Sequence, residues 1–401
     1  MANLRRGFRN QDDKDIKGER QTNYVVSLAR HKRKKIIRIA ILAIVLIIIA
    51  GGVAIYNNTV DYEEYKVVKS LDIDDGAGSQ YIPFCNFFIK YGLDGISYID
   101  GKENVWNQAY EMANPMVDVC DRYAAVADKG TNTIYVFDET GNQGKITTGY
   151  PIIKIEVANQ GVVAALLEED TANYIEVYDK DGDPLISHKT LLGGNGYPLA
   201  FSLSDDGTKM IVSYVCVNSG TMESKVLFYN FSDVGQNEVD RMVGGFNHYK
   251  STVIPTVKFL TNNTAIALGD NKLSIFKMKE KPSLEEEVEI KDEIHKIFYD
   301  EDYIGFVFNN SEGKGKYRVH VYNMNGRKVM DQVINTEFDT IKFSGKNILI
   351  YDDMSCKIIS FNGSERFSYR FKETITEIMP TEKFREYLIV TNNTVKRIKI
   401  K

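Results

Sequence analysis

The residues best suited to chemistry are three aspartates that alternate around a glycine. Asp179, Asp181 and Asp183 lie in the segment YDKDGDP at 178–184. Alternating carboxylates can ligate Ca²⁺, but the usual helix–loop–helix calcium loop places a glutamate at its twelfth position, where Thr190 stands. Asp and Gly at this spacing are also typical of a tight turn after a strand. We favour the turn and keep the three aspartates as weak metal candidates.

Other catalytic signatures are missing from the sequence. The five histidines are scattered without HxxH or HExxH spacing: His31, His188, His248, His295 and His320. GxSxG, P-loop and dinucleotide-binding motifs do not occur. The sequence therefore predicts no cofactor and no enzymatic centre of a recognisable class.

Two segments are better suited to contacting a partner. LLGGNGYP (191–198) precedes a strand rather than a helix, so a connecting loop is favoured over a phosphate cradle. Asn195 and Tyr197 are its candidate contact residues. FNHYK (246–250) combines aromatic and basic residues in an expected loop, with Phe246, His248 and Tyr249 as candidates. Plain solvated loops are the alternative for both segments.

A repeated sequence template predicts the strands that position these segments. A short alternating template ending in a polar turn recurs eight times, with an average spacing of about 43 residues. Alternation with period two predicts strands, and a second apolar strand precedes nearly every copy. The copies are GISYIDG (95–101), TIYVFDETG (133–141), YIEVYDKDG (174–182), KVLFYNFSDVG (225–235), KLSIFKMKE (272–280), RVHVYNMNG (318–326), KIISFNG (357–363) and VKRIKIK (395–401).

Several strands per unit, without a helical stretch in the body, predict an all-β fold with a single β-propeller. The last unit ends after three strands, and the alternating segment 65–73 can supply the fourth, so strands from both chain ends would close the ring. Eight blades are favoured, while the short first unit (81–112) keeps seven open. The acid-rich KPSLEEEVEIKDE (281–293) is interpreted as a solvated outer strand, with an acidic contact patch as the alternative.

The four cysteines lie far apart in the sequence: Cys85, Cys120, Cys216 and Cys356. Their spacing contains no CxxC pair, which disfavours a zinc ribbon or a redox motif. Buried core thiols are expected, with pairing across the fold as the alternative.

Charge divides the chain at one apolar run. Residues 1–38 carry a net charge of +8, which leaves −13 on the remainder. Ile39 to Tyr56 is a run of eighteen uncharged residues, long enough with its flanks to span a bilayer. Lys32, Arg33, Lys34, Lys35 and Arg38 precede it, so the positive-inside rule places the N-terminus in the cytoplasm.

The expected domains are a basic cytoplasmic tail (1–35), a transmembrane signal-anchor helix (36–56), a linker (57–64) and an extracytoplasmic propeller (65–401). The expected location is thus the plasma membrane. A cleaved signal peptide and a buried core helix are the alternatives, but the run is longer than a usual secretory core and its leader is long.

This layout of basic tail, apolar run and exported repeats resembles an uncharacterised, domain-of-unknown-function family of Firmicutes. The repeats are also loosely similar to WD40-type and quinoprotein-type propellers. Trp106 is the one tryptophan, so the repeated Trp of quinoprotein blades is missing, as is a GH…WD pair. The resemblance implies a membrane-anchored propeller and supplies no activity.

The favoured function is binding of an envelope protein, peptide or wall polymer, with no nucleic acid as partner. The first alternative is a cell-wall glycan hydrolase or lyase, which would need carboxylates from several blades in the central channel. The second is a transmembrane sensor. The sequence leaves the oligomeric state open.

Overall fold

The computed structural model describes residues 60–73, 78–85, 87–191, 193–194, 196–218, 220–311 and 313–401, together with helical positions 35, 38–39, 41–49 and 51–52. The chain divides into two compact units, residues 1–61 and 62–401.

The first unit is described at its helical positions, whose side chains are exposed. Lys35, Arg38 and Ile39 lie on this helix, whereas Lys32, Arg33, Lys34 and Tyr56 lie outside the described residues. Within the described positions, no helix combines the length and the apolar character needed to cross a membrane.

The second unit consists of strands, with three short 3₁₀ turns at Asn159–Gly161, Asp233–Gly235 and Val239–Arg241. The first sixteen strands are β1 (Tyr65–Asp72), β2 (Gln80–Phe84), β3 (Phe87–Tyr91), β4 (Gly95–Ile99), β5 (Asn104–Ala109), β6 (Pro115–Cys120), β7 (Tyr123–Asp128), β8 (Thr133–Asp138), β9 (Gly141–Thr147), β10 (Ile152–Val157), β11 (Val163–Glu168), β12 (Ala172–Tyr178), β13 (Pro184–Leu191), β14 (Tyr197–Leu203), β15 (Lys209–Asn218) and β16 (Thr221–Asn230). The others are β17 (Met242–Lys250), β18 (Thr256–Thr261), β19 (Thr264–Leu268), β20 (Lys272–Met278), β21 (Pro282–Glu289), β22 (Ile294–Tyr299), β23 (Tyr303–Asn309), β24 (Tyr317–Asn323), β25 (Lys328–Ile334), β26 (Thr340–Ser344), β27 (Asn347–Tyr351), β28 (Ser355–Ser360), β29 (Glu365–Arg370), β30 (Ile375–Pro380), β31 (Glu386–Thr391) and β32 (Thr394–Ile400).

These strands form eight antiparallel four-stranded sheets, which are the blades of a β-propeller. Blade 1 is β2–β5, and each later blade takes the next four strands, so that blade 7 is β26–β29. Blade 8 has the order β1-β32-β31-β30, with Tyr65 opposite Ile400. The predicted ring closure by strands from both chain ends is therefore confirmed, and the eight-blade count replaces the seven-blade alternative. We call the junction of blades 8 and 1 the closing seam.

Burial explains why the middle strands are the most apolar. In β7 and β11 both faces are covered by neighbouring blades, and the core clusters lie between successive blades. Outer strands have one edge exposed to solvent, and their side chains alternate more strongly between buried and exposed positions. In β21 the glutamates at 285, 286, 287 and 289 are exposed, which confirms the solvated outer strand.

The cysteines differ in their surroundings. All four are free thiols. Cys356 is buried, as expected for a core thiol, whereas Cys120 and Cys216 are half-buried. The expectation of burial is wrong for Cys85, which is exposed because it lies in the tight turn between β2 and β3.

Candidate binding surface on blade 4 and the central channel

Blade 4 has the longest hairpin of the described propeller. Its second and third strands, β15 and β16, have ten residues each, against at most seven for their counterparts in other blades. The flanking strands do not extend as far: Tyr197 of β14 pairs with Val215, and Lys250 of β17 pairs with Glu223. The end of the hairpin therefore projects beyond the strands on both sides.

The projecting end displays two apolar side chains. Val217 and Met222 lie directly opposite each other, so both point to the same face of the hairpin. They are 75% and 56% exposed, respectively. We call this pair the blade-4 tip. Large exposed apolar side chains that are neighbours mark contact surfaces more often than scattered ones do.

The glycine-rich segment lies at the same end of the propeller. β13 ends at Leu191 and β14 begins at Tyr197, which confirms a connection between blades 3 and 4. Leu191 is 51% exposed, and Tyr197 is half-buried at the base of the projecting hairpin. Burial raises the pKa of Tyr197, with a further contribution from Glu168. The predicted contact residue Asn195 lies outside the described residues.

The loop predicted at 246–250 is wrong, because these residues belong to the outer strand β17. Tyr249 is fully buried between blades 4 and 5, and its hydroxyl donates to the Ser274 hydroxyl at 2.9 Å. Phe246 is half-buried against Phe276, with ring centroids 4.9 Å apart. Phe246 and Tyr249 are three residues apart because the pairing of β17 with β16 is irregular between them, so the stretch does not alternate with period two. The two preceding glycines weaken the strand pattern further.

His248 is the exposed member of that stretch and belongs to a small polar cluster. Its Nε2 lies 2.8 Å from a carboxylate oxygen of Glu287, whose other oxygen accepts from Lys272 at 2.7 Å. Burial alone would raise the pKa of Glu287, but the hydrogen bonds from Lys272 and His248 hold it below its usual range. This cluster joins the outer strands of blades 4 and 5.

Polar side chains on the inner strands connect successive blades along the central channel. The carboxylate of Asp118 accepts the Val157 backbone N–H at 2.7 Å. The Glu156 carboxylate accepts the Leu203 backbone N–H at 3.1 Å, and the Ser202 hydroxyl oxygen accepts the Phe259 backbone N–H at 3.1 Å. We call Asp118, Glu156, Ser202 and Lys258 the inner belt of blades 2–5.

Lysines neutralise the belt. Glu156 is 5% exposed and bonds Lys258 at 3.2 Å and Lys154 at 3.3 Å. Burial, and next the Glu156 carboxylate, raise the pKa of Asp118 to about 6, although Lys258 and the Val157 N–H act in the opposite direction. Both carboxylates thus accept a backbone N–H of the next blade and help to join successive blades.

A profile described as a family of unknown function, DUF5711, matches residues 57–400. The chain belongs to the DUF5711 family. This confirms the resemblance to a family of unknown function. Comparison with curated proteins gives no match.

Solved structures show that the DUF5711 chain shares its fold with propellers of distant sequence. BamB from Moraxella catarrhalis is 14% identical, with 84% of this chain and 98% of that chain covered and a TM-score of 0.54. The Dos1 propeller is 10% identical, with coverages of 84% and 95% and a TM-score of 0.53. Chaetomium thermophilum Sqt1 is 9% identical, with coverages of 84% and 100% and a TM-score of 0.52.

The aspartate segment forms a hairpin turn in this DUF5711 chain, which confirms the favoured interpretation. The Asp179 carboxylate accepts the backbone N–H groups of Asp181 at 3.0 Å and Asp183 at 2.8 Å. Across the described residues, three or more His, Cys, Asp or Glu side chains do not converge as metal ligands.

Sequence reasoning missed the inner belt and the blade-4 tip. A signal for the belt was present, because one polar residue interrupts an apolar strand in four successive units: VDV, IEV, FSL and VKF. The tip could have been found from the length of the fourth unit, whose second strand runs on through Val217.

Proposed function

We propose that this DUF5711 chain is a membrane-anchored, extracytoplasmic propeller that binds an envelope protein through the blade-4 tip. The observation that carries the proposal is the exposed Val217–Met222 pair on a hairpin that projects beyond its neighbours. Apolar side chains at the centre of an interface contribute most when a partner removes them from water. An extracellular peptide or a wall polymer is the alternative ligand.

The rigid body behind the tip supports a binding role. Val217 and Met222 continue the ladder of β15 and β16, so little conformational freedom is lost when a partner docks on them. The similar Sqt1 propeller was solved bound to the N-terminus of ribosomal protein L10, an example of peptide binding on this fold.

The distribution of charge and hydropathy along the chain supports the proposed membrane anchor and the proposed export of the propeller. The run Ile39–Tyr56 separates a tail of +8 from a body of −13, and a basic flank orients an anchor with that flank in the cytoplasm. Protease treatment of intact cells that carry a C-terminal epitope is the test. Removal of the epitope supports the exported body, while protection in cells whose surface proteins are cut contradicts it.

Site-specific photocrosslinking tests the binding surface. A photoreactive phenylalanine analogue replaces Met222 in the full-length chain in intact cells. The control position is Leu185, which is 53% exposed but lies at the other end of the propeller, at the start of β13. A single recurrent protein adduct from position 222, absent from position 185, supports the proposal.

A double substitution completes this test. Val217→Ser with Met222→Ser should abolish the recurrent complex in co-purification, because the apolar contact is lost, while Leu185→Ser should preserve it. Equal adducts from both positions, or a complex that survives the double substitution, would exclude the tip as the recognition surface.

A glycan hydrolase or lyase is the second proposal, motivated by Asp118 and Glu156 on adjacent inner strands and by the raised pKa of Asp118. Such reactions use two carboxyl groups that flank the scissile bond, one of them with a raised pKa. Its test is release of soluble sugars from purified cell wall by the wild type and by Glu156→Gln. Release by both, or by neither, would reject the pair as catalytic.

A further inference from the structure

A cavity lies at the closing seam, far from blade 4 along the chain. It has a volume of about 390 Å³ and is lined by residues of blades 1 and 8. Its walls are largely apolar, with Pro83 and Phe87 from blade 1 and Met379 and Leu388 from blade 8. This size falls within the usual range for small-molecule sites and fits a side chain or a small organic molecule.

One guanidinium group enters this apolar space. Arg397 of β32 lines the cavity, and its Cζ lies 5.9 Å from the centre of the Phe87 ring. The Arg397 Nε is buried and donates to no acceptor in the described part of the chain. Buried donors are almost always hydrogen-bonded, and leaving one unpaired is unfavourable. The described part of the protein therefore offers no acceptor for the Arg397 Nε–H.

The charges around the cavity favour an anion. Lys383 and Glu382 also line it, and both are exposed. With Arg397 they give an excess of one positive charge. A guanidinium presents parallel N–H donors that match the two oxygens of a carboxylate, whereas an apolar floor favours a hydrocarbon group beside it.

We propose that the closing-seam cavity binds a carboxylate carried on an apolar group, with Arg397 pairing the carboxylate and Phe87, Met379 and Leu388 contacting the apolar part. A small organic acid and the C-terminal carboxylate of a peptide that ends in an apolar residue share this chemistry. The site is independent of the blade-4 tip, because none of its residues belongs to blade 4.

Calorimetric titration of the purified full-length chain tests the site with matched probes. The first pair is N-acetyl-leucine and its amide, N-acetyl-leucinamide, which differ in the carboxylate alone. The second pair is the peptide Gly-Gly-Gly-Ala-Leu with a free or an amidated C-terminus. We expect binding of the free acids in the millimolar range or tighter and no heat from the amides. Tighter binding of the peptide than of the amino acid would identify a peptide C-terminus as the ligand; the reverse order would identify a small acid.

Substitutions separate binding from folding. Arg397→Gln should weaken acid binding by about 10- to 100-fold, the loss expected for a hydrogen-bonded charge pair. Lys383→Glu, at an exposed side chain, should weaken it several-fold without disturbing the fold. Arg327→Gln, at an exposed arginine in the turn before β25, is the matched control and should bind like the wild type. Binding of acids and amides alike, absence of binding by every probe, or undiminished binding by folded Arg397→Gln and Lys383→Glu would each overturn the proposal.

Discussion

Neighbouring blades are joined in one way within blades 2–5 and in another way at the closing seam. Between blades 2 and 5, inner-belt side chains bond the backbone of the next blade, and first strands such as β14 and β18 are in contact. At the seam, a cleft of about 630 Å³ and the cavity of about 390 Å³ separate blade 1 from blade 8. The two regions therefore differ in how polar groups and open space are distributed, although a buried apolar cluster also joins blades 1 and 8.

The origin of blade 8 explains the difference. Its outer strand β1 comes from the start of the propeller, and its other strands come from the end. Additional contacts fix this strand: the Tyr62 N–H donates to the Arg366 carbonyl at 2.8 Å, and the Lys401 N–H donates to the Glu64 carbonyl at 2.8 Å. The backbone pairing of β1 with β32 thus closes the ring, and the apolar cluster across the seam joins the closed blade to blade 1.

The largest expected effect follows from breaking the inner belt. Glu156→Ala should lower the free energy of unfolding by about 2–4 kcal/mol, because it leaves the half-buried Lys258 charge without its closest carboxylate and the Leu203 N–H without its acceptor. Glu156→Gln should recover part of the loss, since its amide oxygen can still accept from Leu203. Urea denaturation measures both variants.

The matched control for the belt lies at the seam. Glu103 is exposed and lines the larger cleft, so Glu103→Ala should change the free energy of unfolding by no more than about 0.5 kcal/mol. Equal losses for Glu156→Ala and Glu103→Ala would show that the belt does not hold blades 2–5 together.

A second prediction concerns the close approach of blades 2 and 3. A Cβ atom at Gly144 of β9 would overlap the Lys180 carbonyl oxygen of blade 3. Gly144→Ala should therefore destabilise the fold by about 1–3 kcal/mol, as overpacking does. Gly149→Ala is the control, because no atom lies within 4 Å of its added Cβ and its backbone conformation is ordinary. Thermal unfolding that gives equal midpoints for the two variants would contradict tight packing at this junction.

The third prediction is a pH dependence that originates in the belt. Because the pKa of Asp118 is raised to about 6 in the fold, the unfolded chain releases this proton at lower pH than the native chain does. This contribution to stability is present below about pH 4 and is lost as the pH rises to about 6.

The comparison that isolates Asp118 uses Asp118→Asn, which retains an acceptor for the Val157 N–H. Relative to this variant, the wild type should lose about 1–3 kcal/mol of unfolding free energy between pH 4 and pH 6.5. Contributions of other acids, such as Asp331 with its lowered pKa, cancel in the difference. Parallel stability curves for the two proteins would disprove the raised pKa.

The smallest effect concerns thiol accessibility. Cys85 is exposed and lines the seam cavity, whereas Cys356 is buried in blade 7. Partial desolvation by neighbouring groups, and next the Glu139 carboxylate, raise the pKa of the Cys85 thiol to about 11. Iodoacetamide should therefore label Cys85 in the native protein slowly, and faster as the pH rises from 7 to 9, because the thiolate is the reactive form.

Peptide mapping by mass spectrometry measures this labelling, with Cys85→Ser as the control. Cys356 should be labelled after unfolding alone. Rapid native labelling of Cys356, or a rate at Cys85 that does not change with pH, would contradict the difference between the seam and the blade interiors.

The periodic part of the fold was predictable because each blade buries the same faces. The eight template copies are the third strands of the eight blades, and the Asp179 turn follows directly from local Asp and Gly chemistry. The stretch 246–250 was not predictable as a strand, because Gly244 and Gly245 interrupt the alternation, and its pairing with β16 is decided by tertiary contacts. The chemistry of Asp118 was equally inaccessible, since its partner Val157 belongs to the next blade.

The sequence by itself determined the class of the molecule: period-two alternation repeated eight times predicts strands, and the alternating segment 65–73 has the pattern of the strand that completes the eighth blade. The tertiary structure alone decided which side chains meet across blades. Arg397 lies over the Phe87 ring although the two residues are far apart in the sequence, at the two ends of the propeller. Glu156 bonds Lys258, which is 102 residues away. Such contacts depend on how the ring closes, and local periodicity carries no information about that geometry.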